Sequence, residues 1–266
     1  IADQAVTLAK LPHGTASNAG KYLRANNGAD PTFSSVPPNL SSITGSIFVG
    51  STSNLTLSGT GFLSANLVVN FVQSADSINT NVTVTPTNDA LATVAVPSAV
   101  HGSVTAGRVV TIKVTNSDGA VSNTQNLTAL ALPSGGTITT SGNFRIHSFT
   151  ANGSFVNTLA DVSIEYLVIA GGGGGGSAGG GGGAGGYRTN ASGQTSGASS
   201  STEAAVTFPA ATYTITVGAG GAAVDDARGS QGGASSISGS GITDITTVGG
   251  GGGGSFVNSA QHGGGS

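Results

Sequence analysis

The chain contains no cysteine, methionine or tryptophan, and only 7% of its 266 residues are charged. Without cysteine it can form no disulfide, no thiolate zinc site and no cysteine nucleophile. It carries eight Lys plus Arg and a net charge of −3, whereas a nucleic-acid surface needs clustered basic residues. No apolar run approaches the ~18–20 residues of a membrane-spanning helix. We therefore expect no nucleic-acid partner and no membrane insertion.

Side chains that could take part in catalysis or metal binding are sparse as well. Eleven Asp plus Glu are scattered through the chain, and Asp225-Asp226 is the one adjacent pair, which we interpret as a solvated turn. Asp161 and Glu165 fall on one face of a strand edge, where a structural role is expected rather than a glycosidase pair. The four histidines lie far apart without a partner at metal-ligand spacing, and no calcium loop or nucleophile elbow is present. The sequence therefore predicts no catalytic, cofactor-binding or metal-ligating residues and no enzyme activity.

Glycine is what the chain has in excess, with 46 residues. Thirteen of the sixteen positions from Gly171 to Gly186 are glycine, and further runs occupy residues 249–254 and 263–265. Ordering glycine costs roughly 0.5–1 kcal/mol per residue more than ordering alanine, and unpaired buried backbone groups cost roughly 1–3 kcal/mol each. We therefore predict that the tract is ordered by hydrogen bonds to the later runs or to a neighbouring subunit. Valine at Gly173 and at Gly181 should then disrupt the packing, whereas Asp225→Ala should do little.

A nucleotide-binding loop is the alternative interpretation of this tract, because an apolar strand followed by glycines also begins that motif. The motif requires a helix after the glycines and an acidic residue about 20 positions further on. Here residues 187–202 have no helical periodicity, and Glu203 comes too late. The pattern therefore argues against a bound dinucleotide, and we expect no cofactor.

The first 36 residues are polar and rich in turn signals such as Asn27-Gly28 and Pro31. The stretch GKYLRANNGADPTF resembles a linker that recurs in phage tail fibres, where it joins a stalk to distal domains. We interpret residues 1–36 as a stalk-like connector packed around a threefold axis, with a flexible linker as the alternative. Because the chain begins at Ile1 and lacks methionine, we expect a piece of a longer protein or a processed product.

Residues 37–132 show seven short apolar runs separated by turn signals, the spacing of an immunoglobulin-like β-sandwich. A type I′ hairpin turn is expected at residues 116–119, because Asp-Gly tolerates positive φ. The opening PPNLSSITGSIFVGSTSNLTLSGTGF resembles the transcription-factor-type immunoglobulin family, whose modules act as spacers or binding domains. The predicted strands are Leu40–Thr44, Ser53–Ser58, Asn66–Phe71, Asn81–Thr85, Leu91–Val96, Val109–Thr115 and Ala120–Leu127.

Residues 133–142 are predicted to be a linker, and residues 143–266 a glycine-rich β domain. FTANGSFVNTLADVSIEYLVIAGGGGGG, its exit AGGYR and the later TYTITVGAGG resemble the glycine-rich domain of phage tail-fibre and adhesin-like proteins. That resemblance implies polyglycine helices of three residues per turn, which lack internal hydrogen bonds and need neighbours. The predicted strands are Phe144–Thr150, Gly153–Asn157, Val162–Ala170, Ala205–Phe208, Thr212–Val217 and Ile242–Val248.

Three side chains at the ends of the glycine tracts are candidates for receptor binding: Tyr187, Arg188 and Arg228. An aromatic face can stack on a sugar, and arginine can bind carboxylate or phosphate groups of a surface polysaccharide. The competing interpretation is that Tyr187 only covers the tract as a packing lid.

Taken together, these features predict an all-β, fibrous homotrimer in a virion tail appendage outside the cell. It would contact other tail proteins and bind a host-surface polysaccharide or outer-membrane receptor without catalysis. The alternatives are a bacterial secreted or surface adhesin with immunoglobulin-like spacers, and a polysaccharide depolymerase. The connector favours the first over the second, and the lack of convergent carboxylates disfavours the third.

Overall fold

The computed structural model describes residues 21–26, 29–63, 65–197 and 200–255. Twenty β-strands account for nearly all of its secondary structure, and the α-helix Ser98–His101 is a single turn. This confirms the predicted all-β class. No helix in these ranges combines the length and hydropathy that crossing a membrane would require. The chain divides into two compact units, Ile1–Ala131 and Leu132–Ser266.

The first unit begins with a β-hairpin that the turn-rich sequence did not predict. Strand β1 (Lys21–Asn26) pairs antiparallel with β2 (Ala29–Ser35), with Lys21 opposite Ser35. The connector predicted for residues 1–36 thus contains a hairpin, and its residues 1–20 lie outside the described residues. The breaker predicted at Asn27-Gly28 also lies outside the described residues.

The rest of the first unit consists of two sheets that enclose one hydrophobic core. One sheet has the strand order β3-β5-β8 and the other the order β4-β10-β9-β6-β7. The strands are β3 (Asn39–Thr44), β4 (Ile47–Phe48), β5 (Asn54–Thr60), β6 (Leu67–Gln73), β7 (Ile78–Val84), β8 (Leu91–Ala95), β9 (Val109–Thr115) and β10 (Gln125–Leu130).

Alternation of apolar and polar residues explains this core. In β9 the side chains of Val110, Ile112 and Val114 are fully buried, while the residues between them are partly exposed. Successive side chains of a strand point to opposite faces, so every second residue enters the core. Strand β9 was predicted with the correct bounds for this reason.

The last predicted strand of this unit, Ala120–Leu127, was misplaced. Strand β10 starts only at Gln125, because Asn123 leaves the sheet to bond the backbone of Leu40. The Asn123 amide group donates to the carbonyl of Leu40 at 2.9 Å and accepts from its N–H at 2.8 Å. The turn before it has positive φ at Gly119 and not at Asp118, so the predicted type I′ turn is wrong.

The second unit is built from small sheets. Strands β13, β18, β19 and β20 form one sheet in that order, and three further pairs are β11–β12, β14–β17 and β15–β16. The strands are β11 (Thr137–Ser141), β12 (Phe144–Ser148), β13 (Gly153–Asn157), β14 (Val162–Ile164), β15 (Leu167–Ile169), β16 (Tyr187–Thr189), β17 (Val206–Phe208), β18 (Ala211–Thr216), β19 (Ser235–Ser238) and β20 (Ile245–Thr247).

Two predictions for this unit need correction. The linker expected at residues 133–142 contains β11, which pairs with β12 along its whole length. The single strand expected at Val162–Ala170 is split into β14 and β15, which have different partners. The side chain of Asn190 fills the break, accepting from Tyr166 N at 2.7 Å and donating to Ile164 O at 2.9 Å.

Aromatic residues dominate the core of the second unit. The rings of Phe208 and Tyr213 meet edge-to-face with centroids 4.8 Å apart, and both side chains are almost fully buried. The Tyr213 hydroxyl donates to Pro209 O at 2.8 Å, which satisfies its polar end inside the core. This core stabilises the strands from which the glycine-rich segments extend.

Candidate functional site

Five glycine-rich segments continue directly from the strands of the second unit. Segments I and II follow β15 and precede β16, segments III and IV lie between β18 and β19, and segment V follows β20. In these segments the backbone hydrogen bonds run between segments rather than within them. Segment I is residues 171–176, segment II 180–186, segment III 218–224, segment IV 229–233 and segment V 249–254.

Segment I lies at the centre, and its partner changes with a period of three residues. Its N–H groups donate to segment IV and then to segment II, while its carbonyls accept from segments III and V. A partner that recurs at every third residue is the signature of an extended threefold helix. Towards segment IV, Gly171 N and Gly174 N donate to Gly233 O and Ser230 O, and towards segment II, Gly173 N and Gly176 N donate to Gly183 O and Gly180 O. From segment III, Gly221 N and Val224 N donate to Gly172 O and Gly175 O, and from segment V, Gly250 N and Gly253 N donate to Gly171 O and Gly174 O.

The four outer segments also bond to one another. Segment III is joined to IV, IV to V, and II to V, through pairs spaced three residues apart, the last of which includes Val248 directly before segment V. The tract from Gly171 to Gly186 is therefore ordered and packs against residues 249–254, as predicted. The predicted partner run at residues 263–265 lies outside the described residues. We refer to segments I to V together as the polyglycine bundle.

Close packing, and not positive φ, is what requires glycine here. All glycines of the five segments have negative φ. A Cβ added to Gly173 would lie 2.0 Å from Gly251 O, and one added to Gly182 would lie 2.1 Å from Gly173 O. A Cβ added to Gly181 meets nothing within 4 Å. The expectation that valine at Gly181 disrupts the packing is therefore wrong, whereas the structure supports it for Gly173.

Side chains are confined to the outside of the bundle. The positions in segments II to IV that carry a Cβ are exposed, except the partly exposed Val224 where segment III ends. The exposed positions are Ala184, Ala219, Ala222, Ala223, Ser230 and Gln231.

At the end of the bundle remote from the strands, three segment ends meet at Ser177. Its N–H donates to Ala227 O at 3.1 Å, and its Oγ lies 3.0 Å from Ser255 Oγ. We call residues 177–179, 225–228 and Ser255 the distal end. This is where the bundle presents its charged side chains: Asp225, Asp226 and Arg228 are all exposed.

A cleft of about 260 Å³ runs along segments IV and V from Arg228. Its lining combines the side chains of Arg228 and Gln231 with the glycine backbone of residues 229, 251 and 252. The Gln231 side chain donates to Gly249 O at 3.3 Å. A guanidinium and an amide beside bare backbone suit a ligand with an anionic group and hydroxyls.

The other two candidate residues lie at the opposite, strand end of the bundle. Tyr187 and Arg188 belong to β16, paired with Ile169 and Val168 of β15. Both are partly exposed. The sequence placed them near an exposed loop end, and that location is wrong, because the chain returns from the distal end before it reaches them.

Arg188 is held in a cluster around Glu203. Its Nη2 and Nε donate to the two carboxylate oxygens at 2.6 and 2.8 Å. The hydroxyls of Tyr166 and Ser196 also donate to Glu203, at 2.6 and 2.8 Å. The bonds from Arg188, aided by those from the two hydroxyls, lower the pKa of Glu203 to about 2. Burial and the Glu203 carboxylate raise the pKa of Tyr166 to about 12.

No group of three or more potential metal ligands occurs within the described ranges.

Sequence reasoning missed segments III and IV as partners of the glycine tract. Their signal was the spacing of Gly218 with Gly221 and of Gly229 with Gly232. A Cβ at each of these four glycines would lie 2.0–2.1 Å from a backbone oxygen, so glycine recurs at every third residue.

Comparison with known families identifies a glycine-rich domain at residues 150–266. The match contains all five segments and the strands β13 to β20 from which they extend. No curated protein matches the chain significantly.

Proposed function

We propose that the protein is a non-catalytic attachment component of a phage tail fibre or similar virion appendage, and that it binds the host surface with the distal end of its bundle. The observation that carries this proposal is that the second unit separates a shaft made of glycine backbone from the side chains at the segment ends. Inward positions of the bundle cannot accept a Cβ, so the shaft is built from backbone. Chemical variety is available where the segments end, which suits recognition by loops on a rigid scaffold.

The first unit supports the spacer part of this proposal. Its sheets β3-β5-β8 and β4-β10-β9-β6-β7 support an immunoglobulin-like sandwich, because their strand orders, apart from the short β4, match the orders ABE and GFCC′. Domains of this type act as spacers or binding modules, as the resemblance to the transcription-factor-type immunoglobulin family implies. We assign it the spacer role because the glycine-rich domain already offers a binding end.

The proposed ligand is a host-surface polysaccharide or outer-membrane receptor that presents an anionic group. Arg228 beside the cleft supplies the cation, and the exposed Gln231 amide can bond hydroxyls. The protein would act as a homotrimer together with other tail proteins, outside the cell. Tyr187 and Arg188 contribute less in this proposal, because they lie in β16 at the strand end of the bundle, away from the distal end.

The test is binding of the purified chain to a panel of anionic and neutral bacterial surface polysaccharides and to intact bacteria. Arg228→Ala should weaken binding to an anionic polysaccharide at least tenfold, as the loss of one charge-assisted contact of ~1.5–3 kcal/mol implies. Arg145→Ala, a change at another exposed arginine, serves as the matched control. Equal binding by both variants would refute a role for the cleft.

A second measurement separates attachment from catalysis. Incubation of the chain with the bound polysaccharide should release no reducing sugars, whereas a depolymerase would release them steadily. An antibody against the chain should label the tail of the virion. If the protein is instead a bacterial surface adhesin, the antibody would label the bacterial envelope.

A further inference from the structure

One row of backbone donors on segment I has no partner among the described residues. The N–H groups of Gly171, Gly173, Gly174 and Gly176 all donate to neighbouring segments, whereas those of Gly172 and Gly175 donate no hydrogen bond there. Gly172 is exposed and Gly175 partly exposed. The unpaired donors follow the same three-residue period as the paired ones and form a row along the segment.

This row lies between segments II and III. Gly172 O accepts from segment III, and a Cβ built on Gly172 would meet only Gly183 O of segment II, at 3.7 Å. No hydrogen bond joins segments II and III within the described ranges. The packing around segment I is therefore open on this side, and we call it the open face.

Segment II offers acceptors that match these donors. Gly181 and Gly182 are exposed, and the carbonyls of residues 181, 182, 184 and 185 accept no hydrogen bond from described residues. They come in pairs three residues apart, the spacing of Gly172 and Gly175. Segment II of a second copy would continue on the open face the packing that already joins the five segments.

We propose that the open face of segment I is a self-association site that takes segment II of a second copy of this chain. The bonds formed would be backbone N–H groups of Gly172 and Gly175 donating to segment II carbonyls, without any charged side chain. The contact is heterologous, since each copy donates hydrogen bonds through segment I and accepts them through segment II. Heterologous contacts build rings when the rotation closes. This site is separate from the distal end.

The experiment uses full-length protein and single methyl groups. Gly172→Ala adds a methyl group on the open face, where it has room in the isolated chain. Gly181→Ala does the same on segment II, and Gly254→Ala, which also meets nothing within 4 Å, is the control. Sedimentation velocity over a range of protein concentrations measures association, and thermal unfolding confirms that all three variants fold.

We expect wild type and Gly254→Ala to associate alike, and the other two variants to associate at least tenfold more weakly. An equimolar mixture of Gly172→Ala and Gly181→Ala should regain association as one-to-one pairs, because each supplies the surface that the other lacks. A monomeric wild type at all concentrations, unchanged association of Gly172→Ala, or failure of the mixture would each overturn the proposal. Polysaccharide binding is measured separately, so its loss would leave this result intact.

Discussion

At the scale of single residues, the position of a glycine in the threefold period decides what it tolerates. Gly173 and Gly181 are alike in sequence, yet a Cβ at Gly173 would lie 2.0 Å from Gly251 O and one at Gly181 in open space. Sequence could predict that the tract is ordered, but not which glycines face inward. That depends on segments III to V, which are distant in the chain.

We predict that Gly173→Val destabilises the second unit by about 3 kcal/mol or more, because the added side chain would collide with the backbone oxygen of Gly251, which cannot move aside. Gly181→Val should change the free energy of unfolding by no more than about 0.5 kcal/mol, as expected for an exposed site. Chemical denaturation followed by amide signals of the bundle measures both. Similar destabilisation by the two variants would mean that the segments do not pack as described.

The cluster around Glu203 makes a second prediction at this scale. The pKa of Glu203 is about 2 in the folded chain against an ordinary value of 4.5, so folding favours its ionised form. Its contribution to stability is complete above pH 4.5 and is lost as the pH falls towards 2. Acid titration of the unfolding free energy should show this loss in wild type.

Glu203→Gln should flatten that part of the pH profile while lowering stability at neutral pH. Glu165→Gln, at an exposed glutamate outside the cluster, is the control and should keep the wild-type profile. An unchanged acid profile in Glu203→Gln would show that the cluster contributes nothing to folding.

At the scale of elements, the polyglycine segments should give a periodic pattern of hydrogen exchange. The amides of Gly173, Gly174 and Gly183 donate within the bundle and should exchange slowly, whereas those of Gly172 and Gly175 should exchange fast in dilute protein. Residue-resolved exchange by NMR measures this. Uniformly fast exchange along segment I would identify it as a flexible linker.

The elements that sequence predicted well are those with period-two burial. Strands such as β9 and β13 were placed correctly, because one face of each meets a core. Strand β19, made of three serines and an isoleucine, was missed since serine gives no apolar signal. Segment IV was missed because Ser230 and Gln231 on its outside interrupt the glycines, so that glycine recurs at every third position without forming a dense run.

At the scale of the whole molecule, the two units have separate hydrophobic cores. Phe71→Ala, at a fully buried residue of the first core, should destabilise the first unit by about 3–5 kcal/mol. Amide hydrogen exchange at Ile112 should then accelerate, while amide hydrogen exchange at Ile215 stays unchanged. Equal acceleration in both units would show that they unfold as one.

The period of three also limits how the bundle can change in length. Deleting or inserting one residue in a segment would turn every later donor by about a third of a revolution, towards the wrong neighbour. Three residues added to segment I and to each of its partners would restore every bond and move the distal end outward by about 9 Å. Viable length variants of such a shaft should therefore differ by whole turns, added to all five segments together.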